Sequence, residues 1–244
     1  MDYNFEKLRV FSENNLNHAY LSDNQIDQFK ELCSLLIEKN KVVNLTAITE
    51  PAEIERKHFI DSLMGVNIIK KYANSEEISL IDIGCGAGFP GIPLKIAMPD
   101  ALFVLTDSIS KKIDFVKEVI EVLNLTKISA EAERAEFLAR TEYREVFDFA
   151  VSRAVAEMPV LLEYCLPFVK VGGHCILYKS SEYQEELSRA EKAIEILGGK
   201  VEEVNEFTLP FSTDKRSLII IKKIKETPAK YPRRVGKAAK SPIV

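Results

Sequence analysis

The chain has no tryptophan and only three histidines and four cysteines among its 244 residues. The cysteines form no Cys-x-x-Cys pair and lack disulfide-like spacing, and neither His18 nor His174 lies in a metal-ligand pattern, so we expect no metal site. No apolar run approaches the roughly 20 residues of a membrane helix, and the first eleven residues lack the apolar core of a signal peptide. We therefore expect reduced thiols, a cytoplasmic location and no membrane partner.

Charge is distributed unevenly along the chain. The net charge is -4, yet residues 222–244 contain eight lysines or arginines and one glutamate, a local charge of +7 that leaves -11 for residues 1–221. An acidic body with a basic tail indicates a localised contact with a polyanion. A solvated, partly disordered tail explains the same charges, and composition alone does not separate the two.

Residues 1–77 carry helical patterns. Apolar side chains from Ile26 to Ile37 recur at the spacing of an amphipathic helix with Asp23 as its expected N-cap, and Pro51 suits the first turn of a later helix. The segment between them, residues 42–48, is typical of a short strand or of irregular backbone. We expect a helical N-terminal extension at 1–77.

From Ile78 onward, predicted strands and helices alternate, which is typical of a mostly parallel sheet with helices on both faces. Two late strands, near 201–208 and 215–223, have no clear helix between them, so one of them is expected to be antiparallel. A helix is predicted over 160–169, followed by a turn at Gly172-Gly173 before a strand at His174. These patterns divide the chain into the extension, a core at 78–225 and a basic tail at 226–244.

The most informative stretch follows the first predicted strand. It places Gly84, Gly86, Gly88 and Gly91 in a loop before a predicted helix. Glycines permit backbone angles that a Cβ forbids and let a ligand approach the main chain, while amides at a helix start can face that ligand. The spacing Gly86-x-Gly88-x-x-Gly91 literally matches the dinucleotide fingerprint, so NAD is one candidate ligand.

Two acidic residues favour S-adenosylmethionine over NAD. Asp82 lies at the end of the first strand, two residues before the glycines, and suits the cationic amino-acid portion of this cofactor, directly or through water. Asp107 ends the next strand and can accept both hydroxyls of a ribose. A helix N-cap at Asp107 is compatible with either cofactor.

Beyond the glycine spacing, several longer motifs occur in one order along the chain, and together they resemble the RsmG family, also called GidB. The most specific is Gly-Phe-Pro-Gly-Ile-Pro at residues 88–93. The other matching segments are Asn44–Ile48, Lys57–Leu63, Asp107-Ser108, Lys111-Lys112, Arg134–Glu136, Ser152–Ala154 and Pro232–Gly236.

The resemblance implies an α/β fold of the class I S-adenosylmethionine-dependent methyltransferases, Rossmann-like, with a seven-stranded, mostly parallel sheet behind a helical N-terminal extension. It implies N7-methylation of a guanosine in 16S ribosomal RNA, with the RNA or the 30S particle as the partner of a monomeric enzyme. The implied cofactor contacts are Asp82, Gly84, Gly86, Gly88 and Phe89 in and before the loop, Asp107 at the ribose, Ala135 and Glu136 beside the adenine, and Arg153 at the catalytic end of the fourth strand.

Guanine N7 is a lone-pair nucleophile with no proton to lose, so its methylation requires no general base and catalysis depends on positioning. We name no base and assign Arg153 to orienting the guanine or its phosphate. A structural ion pair with a nearby carboxylate is the competing interpretation of Arg153. Lys179, Arg233 and Arg234 are assigned to the RNA backbone.

Other methyltransferase chemistries predict residues that this sequence lacks. Exocyclic amine methylation usually brings Asn/Asp-Pro-Pro-aromatic after the fourth strand, where this chain has Ser152-Arg153-Ala154-Val155, and a cytosine C5 enzyme needs a Pro-Cys nucleophile. Two alternatives remain open: a non-catalytic ribosome-binding or assembly protein that retains the cofactor, and an NAD-dependent oxidoreductase. His58 and Asp61, one helical turn apart, are interpreted as a small surface pair rather than an RNA-facing patch.

Overall fold

The computed structural model describes residues 3–16 and 20–244; His18 therefore lies outside the described residues. Helices precede the first strand. Residues 42–48 are irregular, and Oδ1 of Asn40 accepts hydrogen bonds from the backbone N–H groups of Leu45 and Thr46. The helical elements are α1 Glu6–Asn15, α2 Asp23–Asn40, α3 Pro51–Ile54, a π-helical segment Glu55–Ile60, α4 Asp61–Leu63 and α5 Gly65–Tyr72.

Seven strands form one sheet in the order β3-β2-β1-β4-β5-β7-β6. Strand β7 is antiparallel to both β5 and β6, and the other pairings are parallel, so the expectation of one antiparallel late strand is confirmed. The sheet order reverses at β1, whose neighbours are β2 and β4, and ligands of open α/β sheets bind at such a switch point. The strands are β1 Ser79–Ile83, β2 Leu102–Thr106, β3 Ile128–Glu131, β4 Phe147–Arg153, β5 Val169–Ser180, β6 Gly199–Thr208 and β7 Lys215–Lys223.

Helices cover both faces of the sheet, and the apolar side chains of each strand alternate between two cores. Leu80 enters the core beneath the N-terminal helices, whereas Ile81 enters the core beneath the later helices. Each fully buried aliphatic or aromatic side chain contributes about 1.5–3 kcal/mol. The remaining helices are α6 Gly91–Ala97, α7 Ser110–Val122, α8 Ala135–Leu138, α9 Met158–Cys165, α10 Gln184–Ile196 and α11 Lys237–Lys240.

Three local predictions were wrong. Ser22, not Asp23, is the N-cap of α2, because Ser22 and Gln25 form a reciprocal capping box. The helix predicted over 160–169 ends at Cys165, where a 3₁₀ turn containing Pro167 replaces it. Strand β5 begins at Val169 and passes through both glycines expected to form a turn.

The error at the glycine pair has a tertiary cause. A Cβ on Gly173 would lie 2.5 Å from the carbonyl oxygen of Asp148 on β4. The register of β4 against β5 also shifts between Phe147 and Phe149. Glycine is needed there because the two strands approach closely at an irregular pairing.

The basic tail packs against the core. Tyr231 and Ile243 are buried in the second apolar core, and Arg144 donates hydrogen bonds to the carbonyl oxygens of Thr227 and Tyr231 at 2.7 and 2.9 Å. The interpretation of the tail as a solvated, disordered segment is therefore wrong. No helix in the described part of the chain combines the length and apolar character needed to cross a membrane.

One buried histidine joins the extension to the sheet. The ring of His174 on β5 lies 4.4 Å from the ring of Tyr72 at the end of α5 and 6.0 Å from that of Phe149 on β4. Within the described residues, neither ring nitrogen has a hydrogen-bond partner. Burial lowers the pKa of His174, and Lys222 lowers it further.

We predict that His174→Phe stabilises the fold by about 1 kcal/mol, because it removes two buried nitrogens that no donor or acceptor satisfies. The lowered pKa means that the unfolded chain binds more protons than the native one below the ordinary histidine value near 6.5. Native stability is therefore lost as pH falls below that value. In denaturant unfolding at several pH values, the free energy of unfolding of the variant should fall less at acid pH than that of the parent. An equal fall in both proteins would contradict this account.

Candidate active site at the carboxyl ends of β1 and β4

The loop between β1 and α6 is held by backbone hydrogen bonds. The amides of Gly84 and Cys85 both donate to the carbonyl oxygen of Thr106 on β2, at 2.8 and 3.0 Å. Gly84 has a φ of +71°, and a Cβ there would lie 2.4 Å from Cγ2 of Val155. A side chain at this position would therefore be strained and would collide with the neighbouring loop.

Two other glycines of the loop also have positive φ values, but their surroundings differ. At Gly86, with φ +57°, a Cβ would meet no atom within 4 Å and would enter the open cavity that this residue lines. At Gly88, with φ +89°, a Cβ would lie 2.6 Å from Cγ1 of Ile92 on α6. The loop thus presents bare main chain to the cavity, as a cofactor that contacts the backbone requires.

Asp82 fastens this loop from beneath. Its Oδ2 accepts the Gly91 N–H at 2.8 Å, while Oδ1 has no hydrogen-bond partner within the described chain. Burial raises the pKa of Asp82 to about 7, although the Gly91 N–H and the charge of Arg153 oppose the shift. Asp82 is not among the residues that line the two cavities described below.

The smaller cavity has a volume of about 260 Å³ and lies between β2, α8 and the glycine loop. The N-cap of α7 is Ile109 and not Asp107, so the N-cap interpretation of Asp107 was wrong. Instead, Oδ1 of Asp107 accepts the N–H of Ile109 and its Oδ2 accepts the N–H of Gly86. Each carboxylate oxygen keeps further acceptor capacity for a ribose hydroxyl. Ala135 and Glu136 line the same cavity.

The larger cavity, of about 520 Å³, lies between the N-terminal extension and the core. It adjoins the smaller one, with which it shares Gly84, Lys112 and Ala154. Its lining contains one carboxylate and five cationic side chains, a balance that suits a polyanion. These charged residues are Asp61, Lys57, Lys112, Arg153, Lys179 and Arg216.

Arg153, the last residue of β4, lies in the wall of this cavity and carries the ion pair that the competing interpretation expected. Its Nη1 lies 2.5 Å from Oδ2 of the buried Asp61 and donates to the carbonyl oxygen of Lys57 at 3.3 Å. Its Nη2 lies 3.3 Å from Nδ1 of His58, and the guanidinium carbon lies 5.5 Å from the centre of the Phe89 ring. Arg153 therefore connects the extension to the glycine loop.

The interpretation of His58 and Asp61 as a surface pair was wrong. The ring of His58 stacks on that of Phe89, with centroids 4.5 Å apart and planes inclined by 8°. Its Nε2 lies 2.8 Å from Oγ1 of Thr46. Because Arg153 donates to Nδ1, the neutral ring carries its proton on Nε2 and donates it to Thr46. Burial, and then the charge of Arg153, lowers the pKa of His58 to about 3.

The residues assigned to RNA lie in different environments. Lys179 lines the larger cavity and donates to Glu186 at 2.6 Å. Arg233 lies away from it, with its guanidinium bound to both oxygens of the buried Glu163. Arg234 is exposed.

Sequence reasoning assigned no role to Arg216, which lies on β7 with its Nε 3.6 Å from Oδ1 of Asp61. No local pattern marked it, because β7 reaches the site only through the sheet order. Lys112, which lines both cavities, lies in the matched motif Lys111-Lys112 and could have been predicted as a site residue from it. Within residues 3–16 and 20–244, no group of three potential metal ligands occurs.

Known proteins resemble this chain over most of its length. The family model described as rRNA small subunit methyltransferase G, GidB, matches residues 25–219. A protein named ribosomal RNA small subunit methyltransferase G from Acetivibrio thermocellus is 51% identical over 91% of this chain and 90% of its own length. A protein of the same name from Lachnoclostridium phytofermentans is 52% identical over 92% of each chain.

Solved structures of low sequence identity show the same fold. TrmN from Thermus thermophilus matches with a TM-score of 0.53 and 13% identity, covering 70% of this chain and 53% of that one. M. jannaschii TYW2, solved in complex with AdoMet, matches with a TM-score of 0.50 and 14% identity, covering 83% of this chain and 78% of that one.

The predicted fold class is confirmed: the chain has the seven-stranded, mostly parallel sheet of the class I methyltransferases. The predicted cofactor is confirmed as well, because the matched family is one of S-adenosylmethionine-dependent methyltransferases, and the NAD alternative is not supported. With a family model that covers most of its length and relatives about half identical to it, this chain belongs to the rRNA small subunit methyltransferase G (GidB) family.

Proposed function

We propose that this protein transfers a methyl group from S-adenosylmethionine to N7 of a guanosine in bacterial 16S ribosomal RNA. The names of its relatives support small-subunit ribosomal RNA as the substrate class. The observation that carries the proposal is the position of Arg153, which lies in the wall of a cationic cavity that adjoins a nucleoside-sized one.

The smaller cavity suits the adenosine portion of the cofactor. Asp107 accepts the ribose hydroxyls, while Ala135 and Glu136 flank the adenine. Gly84, Gly86, Gly88 and Phe89 form the loop against which the remainder lies, and Asp82 fixes that loop by accepting the Gly91 N–H. A methionine portion that extends past Gly84 enters the larger cavity, because this glycine lines both.

When bound, the cofactor supplies an electrophilic methyl group on a positively charged sulfur. Guanine N7 has a lone pair and no hydrogen, so this chain's residues need only hold the base in line and need not remove a proton. The neutral His58 does not act as a base at physiological pH, since its pKa is about 3. Its role is to support Arg153 and Phe89.

Arg153 keeps hydrogen-bonding capacity for the substrate. Of its five N–H groups, those on Nη1 contact Asp61 and Lys57 and one on Nη2 contacts His58, which leaves Nε–H and a second Nη2–H without a partner among the described residues. Arginine N–H groups recognise guanine O6 or a phosphate. We assign these two to the target nucleotide.

The RNA backbone meets the cationic side chains around the larger cavity. Lys179 and Arg216 lie on the β5–β7 side and Lys57 on the extension, and the exposed Arg234 extends the basic surface along the tail. Arg233 contributes indirectly, since Glu163 already engages its guanidinium. Contacts of this kind make binding salt-dependent.

The proposal is tested with 30S particles from cells that lack this gene. They are incubated with the protein and methyl-labelled S-adenosylmethionine, and the RNA is digested to nucleosides. We expect the label in 7-methylguanosine. Label in another nucleoside would overturn the regiochemistry, and no label despite measured cofactor binding would favour the non-catalytic ribosome-binding protein.

We predict that Arg153→Lys lowers the methyl-transfer rate about 100-fold, because lysine keeps the charge opposite Asp61 but loses the planar fork that orients the nucleotide. Cofactor affinity, measured by calorimetry, should fall by less than about fivefold. Arg189→Lys, on an exposed ion pair with Glu157, is the matched control. Full turnover by Arg153→Ala on folded particles would show that Arg153 has no such role.

We predict that His58→Phe lowers turnover about tenfold, since phenylalanine keeps the stack on Phe89 but accepts no hydrogen bond from Arg153. The pH profile of the remaining activity should keep its shape, because His58 is already neutral throughout the assay range. His174→Phe is the control, because it replaces a histidine that lines neither cavity. Unchanged turnover of His58→Phe would contradict a positioning role.

A further inference from the structure

The C-terminal segment, residues 226–244, lies against the helices that line the smaller cavity. Its first anchor is Arg233, whose backbone N–H and Nε both donate to Oε1 of Glu163, at 2.7 and 3.0 Å, while Nη2 donates to Oε2 at 2.6 Å. The Glu163 side chain is 1% exposed. A buried carboxylate of this kind is stable only when it is paired, so the contact fixes the segment on α9.

The second anchor reaches the cavity itself. Gly236 N–H donates to Oε1 of Glu136 at 3.2 Å, across 100 residues of sequence. Glu136 is 5% exposed and lines the smaller cavity, and among the described residues Gly236 alone donates a hydrogen bond to its carboxylate. Buried polar groups require such partners.

The conformation of Gly236 is suited to this contact. Its φ is +73°, in the left-handed region, and it directly precedes α11. A Cβ at Gly236 would meet no atom within 4 Å, so a substitution there acts through backbone strain and not through a collision. Ala238, two residues on, is buried.

We propose that the C-terminal segment sets the affinity for S-adenosylmethionine, with Gly236 as a positioning residue whose amide holds the Glu136 carboxylate on the cavity wall. This inference rests on the proposed placement of adenosine in the smaller cavity. With the amide in place, Glu136 keeps one orientation before the cofactor arrives. Without it, the side chain must be ordered on binding, and the affinity falls.

The basic tail then has two separate functions. Arg233 faces inward and supports the cofactor cavity through Glu163, whereas Arg234, Lys237 and Lys240 are exposed and free to face a polyanion. Changes at the first group should alter cofactor binding, and changes at the second should alter RNA binding alone.

The test is a graded series at Gly236 in the full-length chain, with calorimetric titration of S-adenosylmethionine. Asparagine tolerates the left-handed conformation, alanine tolerates it less well, and a β-branched valine hardly adopts it. We expect Gly236→Asn to bind as the parent does, Gly236→Ala to be intermediate and Gly236→Val to bind about tenfold more weakly.

Gly172→Val is the matched control. Gly172 also has a positive φ, of +92°, with no atom within 4 Å of an added Cβ, but it lies on β5 and lines neither cavity. Gly172→Val should lower the thermal unfolding temperature about as much as Gly236→Val does, and should leave the affinity for S-adenosylmethionine unchanged. If Gly236→Val does not fold, the order of asparagine and alanine still tests the inference.

A double-mutant cycle distinguishes positioning from general loosening. In a Glu136→Ala background, Gly236→Val should cause no further loss of affinity, because the group it positions is gone. Additive losses would overturn the inference, as would parental affinity of Gly236→Val. A parent protein that binds no S-adenosylmethionine would instead overturn the proposed function itself.

Discussion

The ion pair between Arg153 and Asp61 is the contact on which the site depends. Asp61 begins α4 of the extension and Arg153 ends β4, so the pair ties the helical extension to the switch point of the sheet. Asp61 is almost fully buried, and a buried carboxylate without a partner costs several kcal/mol. The larger cavity lies where the two parts meet, and Arg153 also contacts His58, Phe89 and Lys57 in its wall.

The same arrangement explains why the chemistry of the site is one of positioning. His58 is held neutral, and burial raises the pKa values of Cys85 and Cys165, so these groups are not activated as bases or nucleophiles. Burial raises the pKa of Asp82 to about 7, but this carboxyl lies outside the lining of both cavities. The charged side chains that line the larger cavity are mainly cations, as the proposed binding of an RNA nucleotide requires.

Local features of the sequence predicted much of this structure. The glycine loop, Asp107 and the alternation of strands and helices depend on near neighbours, and they were found where expected. Contacts between distant segments were not predictable: His58 meets Arg153 across 95 residues, and Gly236 meets Glu136 across 100. The turn predicted at Gly172-Gly173 failed for the same reason, since the proximity of β4 decides the conformation there. From the sequence, a structural ion pair and a contact with the target nucleotide were treated as alternatives for Arg153. One arginine side chain can make both contacts.

The central claim, that methyl transfer requires orientation and no general base, is tested most directly by its pH dependence. Single-turnover rates would be measured on 30S particles at saturating S-adenosylmethionine, between about pH 6 and pH 8.5. The account predicts a rate that stays constant within about twofold across this range. A rate that falls tenfold per pH unit below an apparent pKa within the range would contradict it, because that slope reports an essential base.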